Sequence, residues 1–249
     1  MVGTYAHRTR PSSTEKIIGL IRRISFVALR MSDRSERKRE AILDVATQLF
    51  LSREYAGTSM EDIAAAASVS KQTVYKHFSD KRTLFREVAL GSVGPVGSAF
   101  HAEVVAAAEA ADVPAALLDL ARSYISAVMN PLLLRRRQLV LREAGRFPDL
   151  ARTYHEAGPQ STIDVLTAAF ARLAERGELV VEDPRVAATQ FAFLVIGEPL
   201  DTAMFRGVGR RRSRRELQTL ADAGVEVFLA AYGRKNETTP WPGPATPNR

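Results

Sequence analysis

The sequence predicts an all-α protein, with a three-helix N-terminal domain followed by a larger C-terminal helical bundle. Three observations carry that prediction. Apolar residues recur at helical spacing from Glu36 to Tyr232, without the strict alternation that half-buried strands show. Side chains that cap helices stand just ahead of the apolar stripes, at Ser59, Ser70, Asp112, Asn130 and Ser213. Glycine and proline fall between the stripes, at Gly57, Gly91 to Gly97, Pro131, Gly177 and Gly233.

The first helix begins near Glu36, with Ile42, Ala46, Leu49 and Phe50 on one face and a glycine stop at Tyr55-Ala56-Gly57. Ser59 caps the second helix, and Asp62 three residues on completes a capping-box pair. Met60, Ile63, Ala64 and Ala67 make its inner face. Ser70 caps a third helix, Lys71 to Phe78, which turns only Val74 and Phe78 inward. Its other residues are Lys71, Gln72, Thr73, Tyr75, Lys76 and His77. So short a helix is marginal alone, and its neighbours must hold it in place. Two short helices joined by a tight turn, the second presenting polar groups, form a helix-turn-helix. Lysine suits guanine or phosphate, glutamine suits adenine, and threonine suits a thymine methyl. Residues 68–82 carry Lys71, Lys76, Lys81 and Arg82 against Asp80, a local excess of +3.

Beyond Thr83 a fourth helix begins at Leu84-Phe85 and is broken by the glycine and proline cluster at 91–97. Further helices are expected over 95–110, 113–129, 131–145, 148–157, 159–176, 185–206 and 213–232. Pro199 falls inside the penultimate one, and Ser213 with Glu216 makes a second capping box. The domains expected are 1–33, a basic N-terminal extension; 36–96, with the helix-turn-helix at 59–78; 97–233; and a disordered proline-rich tail, 234–249.

The formal net charge is +7, but six basic residues and one acid place +5 of it in residues 1–30. Met31 opens MSDRSERKRE, which reads as a natural start, so residues 1–30 are expected to be disordered or foreign to the native chain. The apolar stretch 17–29 is short and split by Arg22-Arg23, so it cannot cross a bilayer. No other stretch is long and apolar enough, and a cytoplasmic location with no membrane partner is expected. There is no cysteine, and His7, His77, His101 and His155 are scattered, so neither a disulfide nor a metal site is expected. No nucleophile–base pairing or glycine-rich phosphate loop stands out, so the reading is not an enzyme, and no cofactor is implied. The rival classes are a helical enzyme and a protein-interaction adaptor.

The stretch TSMEDIAAAASVSKQTVYKHFSDKRTLF resembles the TetR-family signature, with D-I-A, V-S, T-x-Y-x-H-F and K-x-x-L-F in order. The resemblance runs from about Glu36 to Val96. It implies that Ser59–Phe78 is the helix-turn-helix and Ser70–Phe78 the recognition helix. It also implies that Tyr75, His77 and Lys81 contact phosphates, and that Thr58 holds a phosphate at the second helix. Ser68 stands where that family usually has glycine, which adds strain to the turn. Downstream, REAGRFPDLARTYHEAGP and RGELVVEDPRVAATQF are similar to the AefR-like C-terminal domain. That likeness implies a regulatory and dimerisation domain, a homodimeric repressor on palindromic double-stranded operator DNA, and a small-molecule effector. The dimerising apolar residues expected are Ala187, Phe191, Leu194 and Val195 with Leu217, Leu220, Val227 and Phe228, most of them serving the chain's own core as well.

An effector pocket is expected between the middle helices. Tyr124, Met129, Phe147, Tyr154, His155 and Phe191 are its candidates, together with Arg136 and Glu143. Those two lie seven apart, on the face of Leu132 and Leu139, and need partners if that face is buried. Arg135–Arg137 fans over roughly 200° of helix and is no single patch. The six arginines of 206–215 read as a solvated loop.

Overall fold

A computed structural model describes residues 34–91, 93–206 and 212–234, with the backbone alone at 94–96. The expectations for the N-terminal extension and the tail lie outside the described residues, as does the centre of the arginine-rich loop. The helices are α1 (34–53), α2 (Met60–Ala66), α3 (Lys71–His77), α4 (Lys81–Leu90), α5 (Val93–Glu109) and α6 (Val113–Val128). They continue as α7 (Pro131–Arg142), α8 (Pro148–His155), α9 (Ser161–Glu175), α10 (Pro184–Arg206) and α11 (Arg214–Tyr232). Among the described residues there is no strand, only an isolated bridge between Leu179 and Gly233. No helix among them is long and apolar enough to cross a membrane.

The chain forms two compact units that divide inside α4, between Leu84 and Phe85. That break falls earlier than the boundary at 96 expected from the glycine cluster. In the first unit, Ile42, Ala46, Phe50, Ile63, Val74 and Phe78 are buried together with Met60 and Ala64. The Arg39 guanidinium lies 5.3 Å from the Phe78 ring centre. The stop after α1 differs from the expected one. Glu54, not Gly57, takes the left-handed conformation, at φ 59°.

The second unit is built on rings. Phe191 meets Phe170 and Phe228 edge-on at 5.4 and 5.2 Å, and Phe228 lies 4.9 Å from Tyr232. Phe170, Phe191 and Phe228 are fully buried, each contributing roughly 1.5–3 kcal/mol by burial. Gly224 lets α11 approach α10 directly, since a Cβ there would stand 2.9 Å from the Leu194 carbonyl oxygen. The Arg122 fork donates from Nε and Nη2 to the Asp222 carboxylate at 2.7 and 2.9 Å, tying α6 to α11. Tyr232 Oη donates to Gln190 Oε1 at 2.7 Å, tying α11 to α10.

One connection departs from expectation. The sequence predicts a break between residues 157 and 159, but α8 runs into α9 through a π-helical turn, Glu156–Gln160. Pro159 has no N–H to give to the preceding turn, and the backbone widens so that Ser161 N–H donates to the Glu156 carbonyl instead.

Candidate functional site

The reading head is assembled from caps. Ser59 Oγ accepts from Asp62 N–H at 3.0 Å, and the Asp62 carboxylate accepts from Ser59 N–H at 3.0 Å, closing the box the sequence predicts. The Ser59 hydroxyl donates to the same carboxylate at 2.6 Å and, with the backbone amide, holds the Asp62 carboxyl below its ordinary range. After α2 the chain turns through a Schellman motif, with Val69 N–H donating to Ala64 and Ser68 N–H to Ala65. Ser68 occupies its left-handed position at φ 53°, where glycine would be unstrained. Ser70 then caps α3 by accepting from Thr73 N–H at 3.1 Å. Asp80 accepts from Thr83 N–H at 2.7 Å, starts α4, and has its carboxyl held low by that amide.

Val74 and Phe78 are fully buried, so the opposite side of α3 is presented outward. Gln72 and Lys76 occupy its centre, both exposed, with Tyr75 beside them at 42% exposure. Thr73 is half-buried and its hydroxyl shares a 2.8 Å hydrogen bond with that of Ser70. Lys71 is ion-paired with Glu61, which raises the lysine pKa and lowers that of the acid. Its Nζ also lies 5.8 Å from the Tyr75 ring centre. His77 is half-buried beside Phe78. Lys81 is half-buried, with its Nζ 4.2 Å from the Tyr55 ring centre, a cation–π contact that fixes it at the start of α4.

Thr58 departs from the expected set. It is 2% exposed, and its hydroxyl donates to the Glu54 carbonyl at 2.9 Å. The hydroxyl is thus engaged within the turn that Glu54 closes, and Thr58 stabilises the approach to α2.

The second unit holds a cavity of about 90 Å³ among α5, α6, α7, α8, the π-helical turn and α9. Tyr124 and Tyr154 line it as the sequence suggests, together with Phe100, His101, Leu134 and Arg137. Six of the expected pocket residues lie elsewhere. Phe191 is sealed in the ring cluster, and Phe147 packs on Phe85 at 5.4 Å. Met129 closes α6 against the core, Glu143 caps the end of α7, and His155 is exposed. Arg136 is half-buried but does not line the cavity; Arg137 does.

The reason lies in the phase of α7. Leu139 is buried but Leu132, on the same expected face, is exposed at 44%. The inward row is Leu133, Leu134 and Arg137, at i, i+1 and i+4. On α5 the cavity row is Gly97, Phe100 and His101, an i, i+3, i+4 stripe that sequence reading passes over. Burial pushes the Tyr124 hydroxyl up to about 12 against the opposing pull of the Arg137 charge, so the phenol stays protonated at neutral pH.

Of the apolar residues expected to dimerise, Leu194 and Val227 are exposed. Ala187, Phe191, Val195 and Phe228 are buried inside their own chain. Leu217 and Leu220 are half-buried, while the exposed apolar side chains are Val186, Phe193, Leu194 and Phe205 on α10 and Val227 on α11.

A capped helix pair that presents polar side chains from a short second helix, followed by a helical bundle, defines a helix-turn-helix DNA-binding transcriptional regulator. The comparisons with known proteins agree with that class. The family profile of bacterial regulatory proteins, tetR family, matches residues 42–88, and that of the AefR-like transcriptional repressor C-terminal domain matches residues 115–234. A TetR-family transcriptional regulator from Mesorhizobium loti MAFF303099 is 42% identical, with 80% of this chain and 98% of that one aligned at a TM-score of 0.73. The flavonoid-responsive regulator FrrA is 31% identical, with 80% and 99% aligned at a TM-score of 0.59. The transcriptional regulator AcrR of Shigella flexneri is 39% identical over 62 residues, which is 25% of this chain and 29% of that protein. The chain belongs to the TetR family of transcriptional regulators.

Proposed function

We propose that this protein is a repressor that binds a palindromic operator as a homodimer and is released by a small-molecule effector. The observation that carries the DNA reading is the outward centre of α3. Gln72 and Lys76 stand opposite the buried Val74 and Phe78 and make no hydrogen bond or ion pair among the described residues. They are the side chains for base edges. Ser59, Ser70, Lys71, Thr73, Tyr75, His77 and Lys81 support or flank them toward the backbone of the duplex. The AefR-like repressor domain supports repression. Exposed Phe193 and Phe205, at 67% and 85%, support burial against a second copy through α10 and α11. Two copies would then set their recognition helices one helical turn of DNA apart, about 34 Å. The cavity of the second unit supports an effector, as does the likeness to a regulator named for its response to flavonoids.

The test is operator titration, using sites enriched from genomic DNA by the purified protein. Q72A or K76A is expected to weaken binding by about 1–3 kcal/mol, roughly 5–150-fold, with folding and dimerisation intact. Y75F and K81A are expected to weaken all sequences alike, and K81A to reduce the salt slope by about one, as one phosphate fewer is neutralised. Unchanged operator affinity in all four variants would move the DNA contact off α3, and failure to enrich any site would make the protein an adaptor on a DNA-binding fold.

A further inference from the structure

The cavity of the second unit has walls that are mostly apolar, with polar side chains from His101, Tyr124, Arg137, Tyr154, Ser161 and Thr162. His101 Nε2 lies 3.3 Å from Ser161 Oγ and 3.4 Å from its carbonyl oxygen. Thr162 Oγ1 is committed to the Gly158 carbonyl at 3.1 Å. Among the described residues, the Tyr124 and Tyr154 hydroxyls make no hydrogen bond and Arg137 makes neither a hydrogen bond nor an ion pair. No carboxylate lines the cavity, and Arg137, half-buried, lines it without a counter-ion in the wall. A cation against an apolar wall is costly unless an anion with matching geometry joins it, and a carboxylate accepts the guanidinium fork through two oxygens. The protonated Tyr124 is a donor on the same cavity, and its ring lies 4.9 Å from that of Phe100. With about 90 Å³ available, less than the roughly 150 Å³ that holds benzene in an engineered apolar cavity, the occupant is smaller than an aromatic ring.

We infer that the cavity takes a small organic monoanion, a short acyl chain of a few carbons bearing a carboxylate. Arg137 and the Tyr124 hydroxyl receive the carboxylate, while Phe100 and Leu134 cover the apolar body. This assignment rests on the effector reading only for its consequence at DNA; binding itself is independent of it.

Calorimetric titration of the full chain tests the inference, with propionate and butyrate as probes and propionamide and butyramide as their neutral counterparts. Each acid is expected to bind at least about tenfold more tightly than its amide. R137Q is expected to abolish that preference without changing the melting temperature, R137K to restore part of it, and Y124F to weaken the acids a few-fold. Equal binding of acid and amide, failure of both acids to bind at millimolar concentration, or a preference that survives R137Q would overturn the assignment. Operator affinity is measured separately. Acid binding that leaves operator affinity unchanged supports this assignment and removes the effector reading. Intact operator binding with no acid bound overturns this assignment and leaves the DNA reading standing.

Discussion

The reading head and the bundle end a helix with the same turn but with different residues. After α9, Glu178 N–H donates to Leu173 and Gly177 N–H to Ala174, with Gly177 left-handed at φ 73°. After α2 the same two bonds form around Ser68 at φ 53°. The bundle meets the conformational demand with the residue that carries no Cβ, whereas the head meets it with one that must be held there. What holds it is local, namely the Ser59–Asp62 box before α2 and the Ser70 cap after the turn. The bundle draws instead on contacts distant in sequence, above all the rings of Phe170, Phe191 and Phe228. Short helices pinned by caps can face their polar side outward, while long helices sharing a core can enclose a cavity.

The largest effect expected from this contrast is in the ring cluster. F191A should cost the bundle about 3–5 kcal/mol in denaturant unfolding, because a fully buried ring leaves a cavity on removal. A cost below about 1 kcal/mol would mean that the cluster is not where the bundle's stability resides.

The two Schellman turns should respond with opposite signs. S68G is expected to stabilise the head by about 1 kcal/mol and G177A to destabilise the bundle by a similar amount. The space around Gly177 is open, so the cost there is one of backbone conformation alone. Thermal unfolding of the two variants side by side checks the pair, and equal signs would break the comparison.

The smallest effect is a pH dependence. The Arg122 fork holds the Asp222 carboxyl below its ordinary value of 3.8. A depressed carboxyl stabilises the folded chain above roughly pH 4 and loses that contribution as the pH falls through its native value. The melting temperatures of wild type and D222N should therefore differ at pH 7 and converge below about pH 4. A constant gap across that range would show that the pair contributes nothing through its charge.

The caps were legible in the sequence because their signal is local. Ser59, Ser70, Asp112, Asn130 and Ser213 each accept from a backbone amide two or three residues on. The inward face of α3 was legible because Val74 and Phe78 are its only large aliphatic or phenylalanine side chains at helical spacing. The phase of α7 was not. Leu132, Leu133 and Leu134 are consecutive, so periodicity cannot say which of them faces in, and an offset of one residue exchanges Arg136 for Arg137. The π-helical turn was hidden for a related reason. Gly158-Pro159 reads as a break, whereas packing keeps the chain helical and widens it. The burial of Thr58 was not legible, because its hydroxyl bonds the carbonyl of left-handed Glu54, and nothing in the local sequence marks a non-glycine residue for that conformation.

The approach of Gly224 to the Leu194 carbonyl has a consequence for how such a protein can diversify. Because main-chain atoms fix the gap between α10 and α11, the two helices behave as one plate whose thickness is indifferent to what decorates its outside. Phe193, Phe205 and Val227 can be exchanged along a lineage without disturbing the rings beneath. In the proposed dimer, recognition of kin from non-kin can then drift while Gly224 keeps the two helices together.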